Sequence, residues 1–94
     1  MPHMYILECA DGTYYTGSTP ELERRIAQHE AGEGANYTAK LLPVRLVYSE
    51  YFPLIGHAFK REKQVQGWTH AKKKALIDGN TEVLREKAKK KWKK

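Results

Sequence analysis

The dipeptide Asp11-Gly12 separates two short runs rich in Tyr, Ile, Leu and Thr, which cover residues 3–8 and 13–18. Asp-Gly between two such runs is a strong signal for a tight turn, because glycine readily adopts the positive φ that hairpin turns require. The chain is therefore predicted to open with an antiparallel β-hairpin.

Beyond the hairpin, helical and strand signals follow one another. Thr19-Pro20-Glu21 has the residues of a helix N-terminus, so a helix is predicted over residues 22–30. Residues 35–42 are predicted to form a loop, and residues 43–51 alternate with the period of two that is typical of a strand. A helix is then predicted over residues 54–66, because apolar residues recur at helical spacing and form one face: Ile55, Ala58, Phe59 and Val65.

The C-terminal part is predicted to be helical. Thr69 is predicted to cap a shorter helix that ends before Gly79, and a final basic helix is predicted from residue 81. The order β-β-α-β-α-α-α indicates an α+β domain, a small three-stranded antiparallel sheet flanked by helices. The length of 94 residues suits one domain, predicted over residues 1–80, with residues 81–94 as a basic C-terminal helix or tail.

Composition excludes several classes of protein. No apolar run approaches the roughly 18 residues needed to cross a bilayer, so no membrane is expected as a partner. The N-terminus lacks the features of a secretory signal and the single cysteine, Cys9, cannot form an internal disulfide, so a cytoplasmic location is expected. One cysteine and four scattered histidines also exclude a structural zinc site.

The charge of the chain is concentrated at its end. The formal net charge is +6, and seven of the last ten residues are basic, whereas residues 1–84 contain ten basic and ten acidic residues. Such an end is either a solvated terminus or a non-specific phosphate contact that weakens with salt. A neutral body with a short basic tail favours a low intrinsic affinity for DNA or a protein partner that supplies it.

Two predicted helices carry charged residues on their apolar faces. In the first, Arg25 and His29 share the helical stripe with Leu22 and Ile26, and in the second, Glu62 lies in the middle of the apolar face. An unpaired buried charge is strongly destabilising. Either Arg25 and Glu62 form a structural ion pair beside a hydrogen-bonded His29, or these residues line a pocket in which Glu62 binds a metal ion and Arg25 a phosphate oxygen.

Two tyrosines of the hairpin, Tyr5 and Tyr15, are either packing residues or part of the same pocket. Hydrolysis of a phosphodiester needs a group that deprotonates water, a cation that holds the phosphate and a metal ligand, and the chain offers a candidate for each. It has no cluster of close acids of the kind that two-metal nucleases employ. A scheme with one carboxylate and one metal ion therefore fits better.

Four segments together are similar to the motifs of a known family. Met4-Tyr5-Ile6 and Tyr15-Thr16-Gly17 resemble two signature motifs, residues 21–29 a helix with a catalytic arginine, and residues 58–64 a helix with a metal-binding glutamate. The chain thus resembles the GIY-YIG nuclease superfamily over nearly its whole length. It looks closest to small bacterial members that themselves resemble the catalytic subunit of the eukaryotic branched-DNA endonuclease.

The match departs from the family pattern at three positions. His3 and Met4 replace the glycine and isoleucine of the first motif, and Ser18 follows the second motif where some members have lysine. Both signature tyrosines are intact. These departures affect the expected level of activity rather than the expected fold.

The resemblance implies a metal-dependent endonuclease that hydrolyses DNA, including branched or repair intermediates, with Mg²⁺ or Mn²⁺ as cofactor. It implies that Tyr5 and Tyr15 line the site, Arg25 contacts phosphate, His29 supports the tyrosine that activates water, and Glu62 binds the metal. Tyr5 is preferred as the base, with Tyr15 positioning water or phosphate. Since a free phenol has a pKa of about 10, this role predicts neighbours that lower the pKa.

A shared fold does not guarantee activity, so a second hypothesis stands beside the nuclease. The chain could be a catalytically weak or inactive module on the same fold, which binds nucleic acid or acts only with a partner.

Tyr5 and Tyr15 can line one site only if they lie on the same face of the sheet, because strand side chains alternate between its two faces. A two-residue turn would place Tyr15 opposite Glu8, on the other face from Tyr5. A three-residue loop over residues 11–13, or a bulge, would place Tyr15 opposite Cys9 and on the face of Tyr5. An odd-length loop or a bulge is therefore predicted, with both tyrosine hydroxyls converging near Arg25 and Glu62.

Overall fold

The structure is a computed structural model that describes residues 1–79. Its strands are β1 (His3–Glu8), β2 (Tyr14–Thr19) and β3 (Arg45–Tyr51), and its helices are α1 (Leu22–Glu30), α2 (Asn36–Ala39), α3 (Ile55–Gln66) and α4 (His70–Ile77). The predicted α+β class, with a three-stranded antiparallel sheet and flanking helices, is confirmed. The basic helix predicted from residue 81 lies outside the described residues.

The central strand of the sheet is β1, which pairs antiparallel with β2 on one side and β3 on the other. Four successive residues of β1, Met4 to Leu7, are buried because helices cover both faces of the sheet. Met4 and Ile6 pack with Val65 of α3 and Leu76 of α4. The opposite face forms a second cluster, in which α1 packs on the sheet; its members are Tyr5, Leu7, Cys9, Val44, Tyr15, Leu22, Ile26 and Leu41.

The hairpin loop confirms the predicted odd length but not the predicted residues. Cys9 N donates to Thr13 O over 2.8 Å, so the loop is residues 10–12 and Tyr15 lies opposite Leu7 rather than Cys9. The reason is local: Asp11 accepts hydrogen bonds from the backbone and hydroxyl of Thr13, and Gly12 has a φ of +86° as the last loop residue. The observed partner of Tyr15 is two residues away from the predicted one. Because strand side chains alternate with a period of two, Tyr15 still lies on the face of Tyr5.

Residues 35–42 were predicted to form a loop, and that prediction is wrong for part of the segment. Asn36–Ala39 form the single turn α2, stabilised at Thr38, whose hydroxyl donates to Ala35 O over 3.0 Å. This turn is held mainly by tertiary contacts, since one helical turn is unstable alone.

The third strand begins at Arg45, two residues later than predicted, and its alternation is interrupted. Ile6 of β1 pairs with Tyr48 while Leu7 pairs with Leu46, which leaves Val47 as an extra residue. Val47 and Tyr48 therefore both pack on the core beside Met4 and Ile6, and Leu46 is exposed.

The apolar face predicted for α3 is also corrected. Ala58 and Val65 are buried, but Ile55 and Phe59 are 44% and 50% exposed. Arg61 turns toward the sheet instead, where its guanidinium binds Glu50 of β3 over 3.0 and 3.1 Å.

The two predicted helix caps have different outcomes. Thr69 caps α4 as predicted, because its hydroxyl accepts from Lys72 N. Thr19 instead accepts from Glu21 N, one residue before α1 begins. None of the helices described in residues 1–79 has the length and hydropathy to cross a membrane.

Candidate active site

Tyr5 of β1 and His29 of α1 meet inside the protein. The hydroxyl of Tyr5 lies 2.9 Å from Nε2 of His29, and the two side chains are 1% and 0% exposed. The hydrophobic stripe of α1 explains the placement of His29, because the helix turns that stripe onto the face of the sheet that carries Tyr5.

A second hydrogen bond of His29 defines its tautomer. Nδ1 of His29 lies 2.8 Å from the hydroxyl of Thr38, and that hydroxyl already donates its only hydrogen to Ala35 O. The hydroxyl must therefore accept a hydrogen bond from Nδ1–H, which leaves Nε2 as the acceptor for the phenol of Tyr5. Sequence reasoning missed Thr38, since a threonine in a polar segment carries no distinguishing signal.

Burial controls the protonation of this pair. It lowers the pKa of His29 to about 4, with a further contribution from the nearby Arg25 cation. It also raises the pKa of Tyr5, and Arg25 offsets that effect only in part. The expectation that neighbours lower the pKa of the tyrosine is thus wrong for Tyr5, because desolvation outweighs the attraction of one cation. At neutral pH the pair is a neutral phenol and a neutral imidazole.

Two glycines make room for the pair. A Cβ on Gly17, which lies opposite Tyr5 in the hairpin, would come within 2.6 Å of the Tyr5 hydroxyl. A Cβ on Gly34 would overlap with Nδ1 of His29. A side chain at either position would therefore force Tyr5 or His29 to move.

Tyr15 stands beside the buried pair and is partly exposed. Its ring centroid lies 6.4 Å from that of Tyr5 and 5.3 Å from that of His29. The structure therefore brings both signature tyrosines and the histidine together on one face of the sheet.

Arg25 is partly exposed and does not bind Glu62. Its guanidinium donates to Gln28 Oε1 over 3.0 Å, and none of the ion pairs in residues 1–79 joins Arg25 to Glu62. The sequence left open a structural ion pair between the two, and the described contacts do not contain one. Arg24, the neighbouring arginine, is exposed.

Glu62 approaches from the other face of the sheet and reaches the edge strand β2. Its Oε1 accepts from the hydroxyl of Ser18 over 2.6 Å, and its Oε2 accepts from the amide of Gln66 over 2.7 Å. Gln66 is itself held by Thr16 O. The carboxylate side chain is only 12% exposed, with the ammonium of Lys63 3.9 Å away. Ser18 and Gln66, which sequence reasoning did not assign, therefore orient Glu62.

The donor set at Glu62 fits a particular kind of cation. Residues 1–79 contain no group of three or more His, Cys, Asp or Glu side chains that could enclose a metal ion. Mg²⁺ usually keeps several waters and takes one or two carboxylates together with substrate phosphates, so it does not need such a cage. Each Glu62 oxygen accepts one hydrogen bond from the residues described above and has a further lone pair for a ligand.

The chain is similar to several known proteins. Residues 1–75 match the family model of the GIY-YIG catalytic domain. The chain is 46% identical to a UPF0213 protein of Halobacterium salinarum, over 82% of this chain and 100% of that one. It is 43% identical to a UPF0213 protein of Staphylococcus saprophyticus, over 80% of this chain and 92% of that one.

A solved structure is similar as well. The solution NMR structure of a UPF0213 protein from Bacillus halodurans has a TM-score of 0.54 and 42% identity, over 83% of this chain and 84% of that one. The family match covers every element that carries the tyrosines, Arg25, His29 and Glu62. This chain therefore belongs to the GIY-YIG catalytic-domain family, and its relatives are the small proteins called UPF0213.

Proposed function

We propose that this protein is a metal-dependent endonuclease that hydrolyses phosphodiester bonds in DNA, with branched or repair intermediates among its substrates. The observation that carries the proposal is the buried chain of hydrogen bonds from Tyr5 through His29 to Thr38. A buried tyrosine hydroxyl needs a hydrogen-bond partner in any case. Here that partner is a neutral imidazole that a second hydrogen bond holds in place, and such a group can take up the proton of the phenol. Membership of a family with a nuclease fold supplies the reaction class.

The chain of hydrogen bonds supports a proton relay. The Tyr5 oxygen accepts a proton from the attacking water while its own proton passes to Nε2 of His29. This route avoids a free phenolate, which burial disfavours. A bound phosphodiester brings a negative charge near His29 and so raises the pKa of His29 from about 4, which makes proton uptake easier when substrate is present.

The remaining residues hold the phosphate and the water. Arg25 binds a non-bridging phosphate oxygen, and Tyr15 positions the water or the phosphate from its partly exposed place beside Tyr5. The water oxygen bonds to phosphorus, one ester bond to phosphorus breaks, and the leaving oxygen takes a proton from solvent. His29 returns the proton that it gained to solvent after the product leaves.

Glu62 is proposed as the protein ligand for Mg²⁺ or Mn²⁺. Ser18 and Gln66 each donate a hydrogen bond to one of its two oxygens. When bound, the metal ion supplies Lewis-acid stabilisation of the charge that develops on the phosphate and the leaving oxygen.

The test compares Glu62→Gln with Glu30→Gln, a matched change at an exposed glutamate of α1. Each purified protein is incubated with labelled duplex, single-stranded and branched DNA in Mg²⁺, in Mn²⁺ and in EDTA. We expect the native protein and Glu30→Gln to nick at least one substrate only with metal, and Glu62→Gln to lose this nicking while remaining folded. Cleavage that persists in Glu62→Gln or in EDTA would contradict the proposal, and folded native protein that cuts none of the three substrates would favour the inactive or partner-dependent module.

A further inference from the structure

A cavity of about 380 Å³ adjoins the residues described above and has no role in the proposed hydrolysis. It lies between the hairpin loop and α2, and its lining residues are Asp11, Asn36, Tyr37, Lys40 and Leu41. It adjoins the site through Tyr37, whose ring is nearly parallel to that of Tyr15, at 22° and 6.3 Å between centroids.

Tyr37 presents an aromatic surface that packing does not explain. Its side chain is 45% exposed, yet its hydroxyl donates to Thr13 Oγ1 over 2.7 Å, which fixes the ring between the loop and α2. A fixed aromatic ring with an open face is a stacking surface for a planar ligand. Nucleobases stack on such rings whatever their sequence, because every base has a π-face.

The polar groups around the ring suit a nucleotide. Asp11 Oδ1 accepts two hydrogen bonds from Thr13, over 3.1 and 2.7 Å, while Oδ2 has no partner among the described residues. Those bonds lower the pKa of Asp11, so its carboxylate is an acceptor at neutral pH. A carboxylate accepts hydrogen bonds from the amino and imino groups on base edges, and the ammonium of Lys40 attracts phosphate.

The short helix α2 links this cavity to the buried pair. Tyr37 lines the cavity, and the next residue, Thr38, accepts the hydrogen bond that fixes His29. The cavity and the buried pair are thus joined through two adjacent residues of α2, and the ring of Tyr15 lies 6.3 Å from that of Tyr37.

We propose that the cavity binds a nucleobase that has left the duplex stack, next to the phosphate that is cut. Tyr37 stacks on the base, Asp11 accepts from its Watson–Crick edge, and Lys40 binds an adjoining phosphate. The inference rests on the proposed function and names its substrate class: DNA with an unpaired nucleotide at the cut site. Fully paired duplex cannot fill the cavity, because its bases are stacked and their Watson–Crick edges are occupied.

The test measures binding without cleavage. The probes are two fluorescent single-stranded DNA hexamers in EDTA, one with guanine at a central position and one with an abasic nucleotide there. The proteins are the native chain, Tyr37→Ala and the matched control Tyr51→Ala, which removes another exposed tyrosine, 53% exposed and on β3. We expect Tyr37→Ala to weaken binding of the guanine hexamer by about 5- to 150-fold, the range for loss of one base stack, and to leave the abasic hexamer unchanged.

Three outcomes would overturn the inference: equal binding of both hexamers by the native protein, equal weakening of both hexamers by Tyr37→Ala, or the same selective loss in Tyr51→Ala. An amide chemical-shift titration of the native protein provides a test that needs no variant. We expect the guanine hexamer, and not the abasic one, to shift the amides of residues 11–13 and 36–41.

The binding result is separable from the nuclease result. If the native protein nicks DNA but does not distinguish the hexamers, the proposed function stands and the base-binding cavity is refuted. If the native protein distinguishes the hexamers through Tyr37 but nicks no DNA, the base-binding cavity stands and the nuclease function is refuted.

Discussion

The hydroxyl of Tyr5 donates a hydrogen bond to Nε2 of His29 over 2.9 Å, and both side chains are buried. The direction of this bond follows from Thr38, which accepts from the other ring nitrogen. A phenol that donates to a neutral imidazole has its oxygen lone pair free for a water. The proposed proton relay uses this direction of the hydrogen bond.

Replacing Tyr5 by phenylalanine tests the relay. We expect Tyr5→Phe to lower the cleavage rate by about 10²- to 10⁴-fold, the usual contribution of general acid–base catalysis. The free energy of unfolding should fall by about 1–3 kcal/mol, because Nε2 of His29 loses its buried donor. Tyr14→Phe is the control, since Tyr14 lies on the opposite face of β2 and stacks on His70 at 4.4 Å. Single-turnover kinetics that show Tyr5→Phe within tenfold of the native rate would rule out Tyr5 in this role.

Adding one methyl group at Gly17 tests the close approach of Tyr5. The new Cβ would lie 2.6 Å from the Tyr5 hydroxyl, so the ring must move. We expect Gly17→Ala to lower the free energy of unfolding by about 1–3 kcal/mol, as overpacking does, and to lower cleavage. Gly56→Ala is the control on α3, where a Cβ meets open space. Urea unfolding should show it neutral or more stable by up to about 1 kcal/mol.

The buried histidine predicts how stability depends on pH. His29 has a pKa of about 4 in the folded protein against 6.5 when unperturbed, so the unfolded chain takes up the proton first as the pH falls. The free energy of unfolding should therefore decrease between pH 6.5 and 4 by up to about 1.4 kcal/mol per pH unit. Urea titrations across this window should show a shallower slope for His29→Gln. The exposed His57→Gln should keep the native slope, and an unchanged slope in His29→Gln would contradict the assignment.

The ion pair between Arg61 and Glu50 predicts a purely structural effect. Arg61 makes two hydrogen bonds to Glu50 and lies 5.2 Å from the ring centroid of Trp68. We expect Arg61→Met to lower the free energy of unfolding by about 1–3 kcal/mol, since the partly buried Glu50 loses its cation. Lys60→Met, at an exposed position of the same helix, should change it little. A cleavage rate per folded molecule that falls with Arg61→Met would instead give this arginine a part in the reaction.

The basic end of the chain predicts the salt dependence of binding. Residues 85–94 contain seven basic residues and one acidic residue, so their deletion removes the whole excess charge. We expect the shortened protein to fold, to bind DNA more weakly and to show a flatter dependence of log affinity on log salt. Anisotropy titrations at several salt concentrations measure the slope. The same slope before and after deletion would exclude the tail as a phosphate contact.

Much of the fold follows from local signals in the chain. The hairpin, α1 and α4 are set by Asp-Gly, by the stripe that contains His29, and by the cap Thr69, each of which acts within a few residues. The polar side chains Arg25, His29 and Glu62 also stand out in the sequence, because they interrupt apolar faces where an unpaired charge would be destabilising. These signals were enough for the α+β class and for a list of candidate site residues.

The partners of those side chains depend on contacts between distant segments. Thr38 bonds to His29, and Ser18 bonds to Glu62 across 44 positions of the chain. No periodicity or turn signal contains such pairings. The same holds for α3, where the apolar spacing predicts a buried Phe59. In the structure Arg61 forms an ion pair with Glu50 of β3, and Phe59 is exposed. A short motif determines the local backbone conformation and which side chains share a face of a helix or strand. The hydrogen-bond partners and the burial of those side chains are determined only when helices pack on both faces of the sheet.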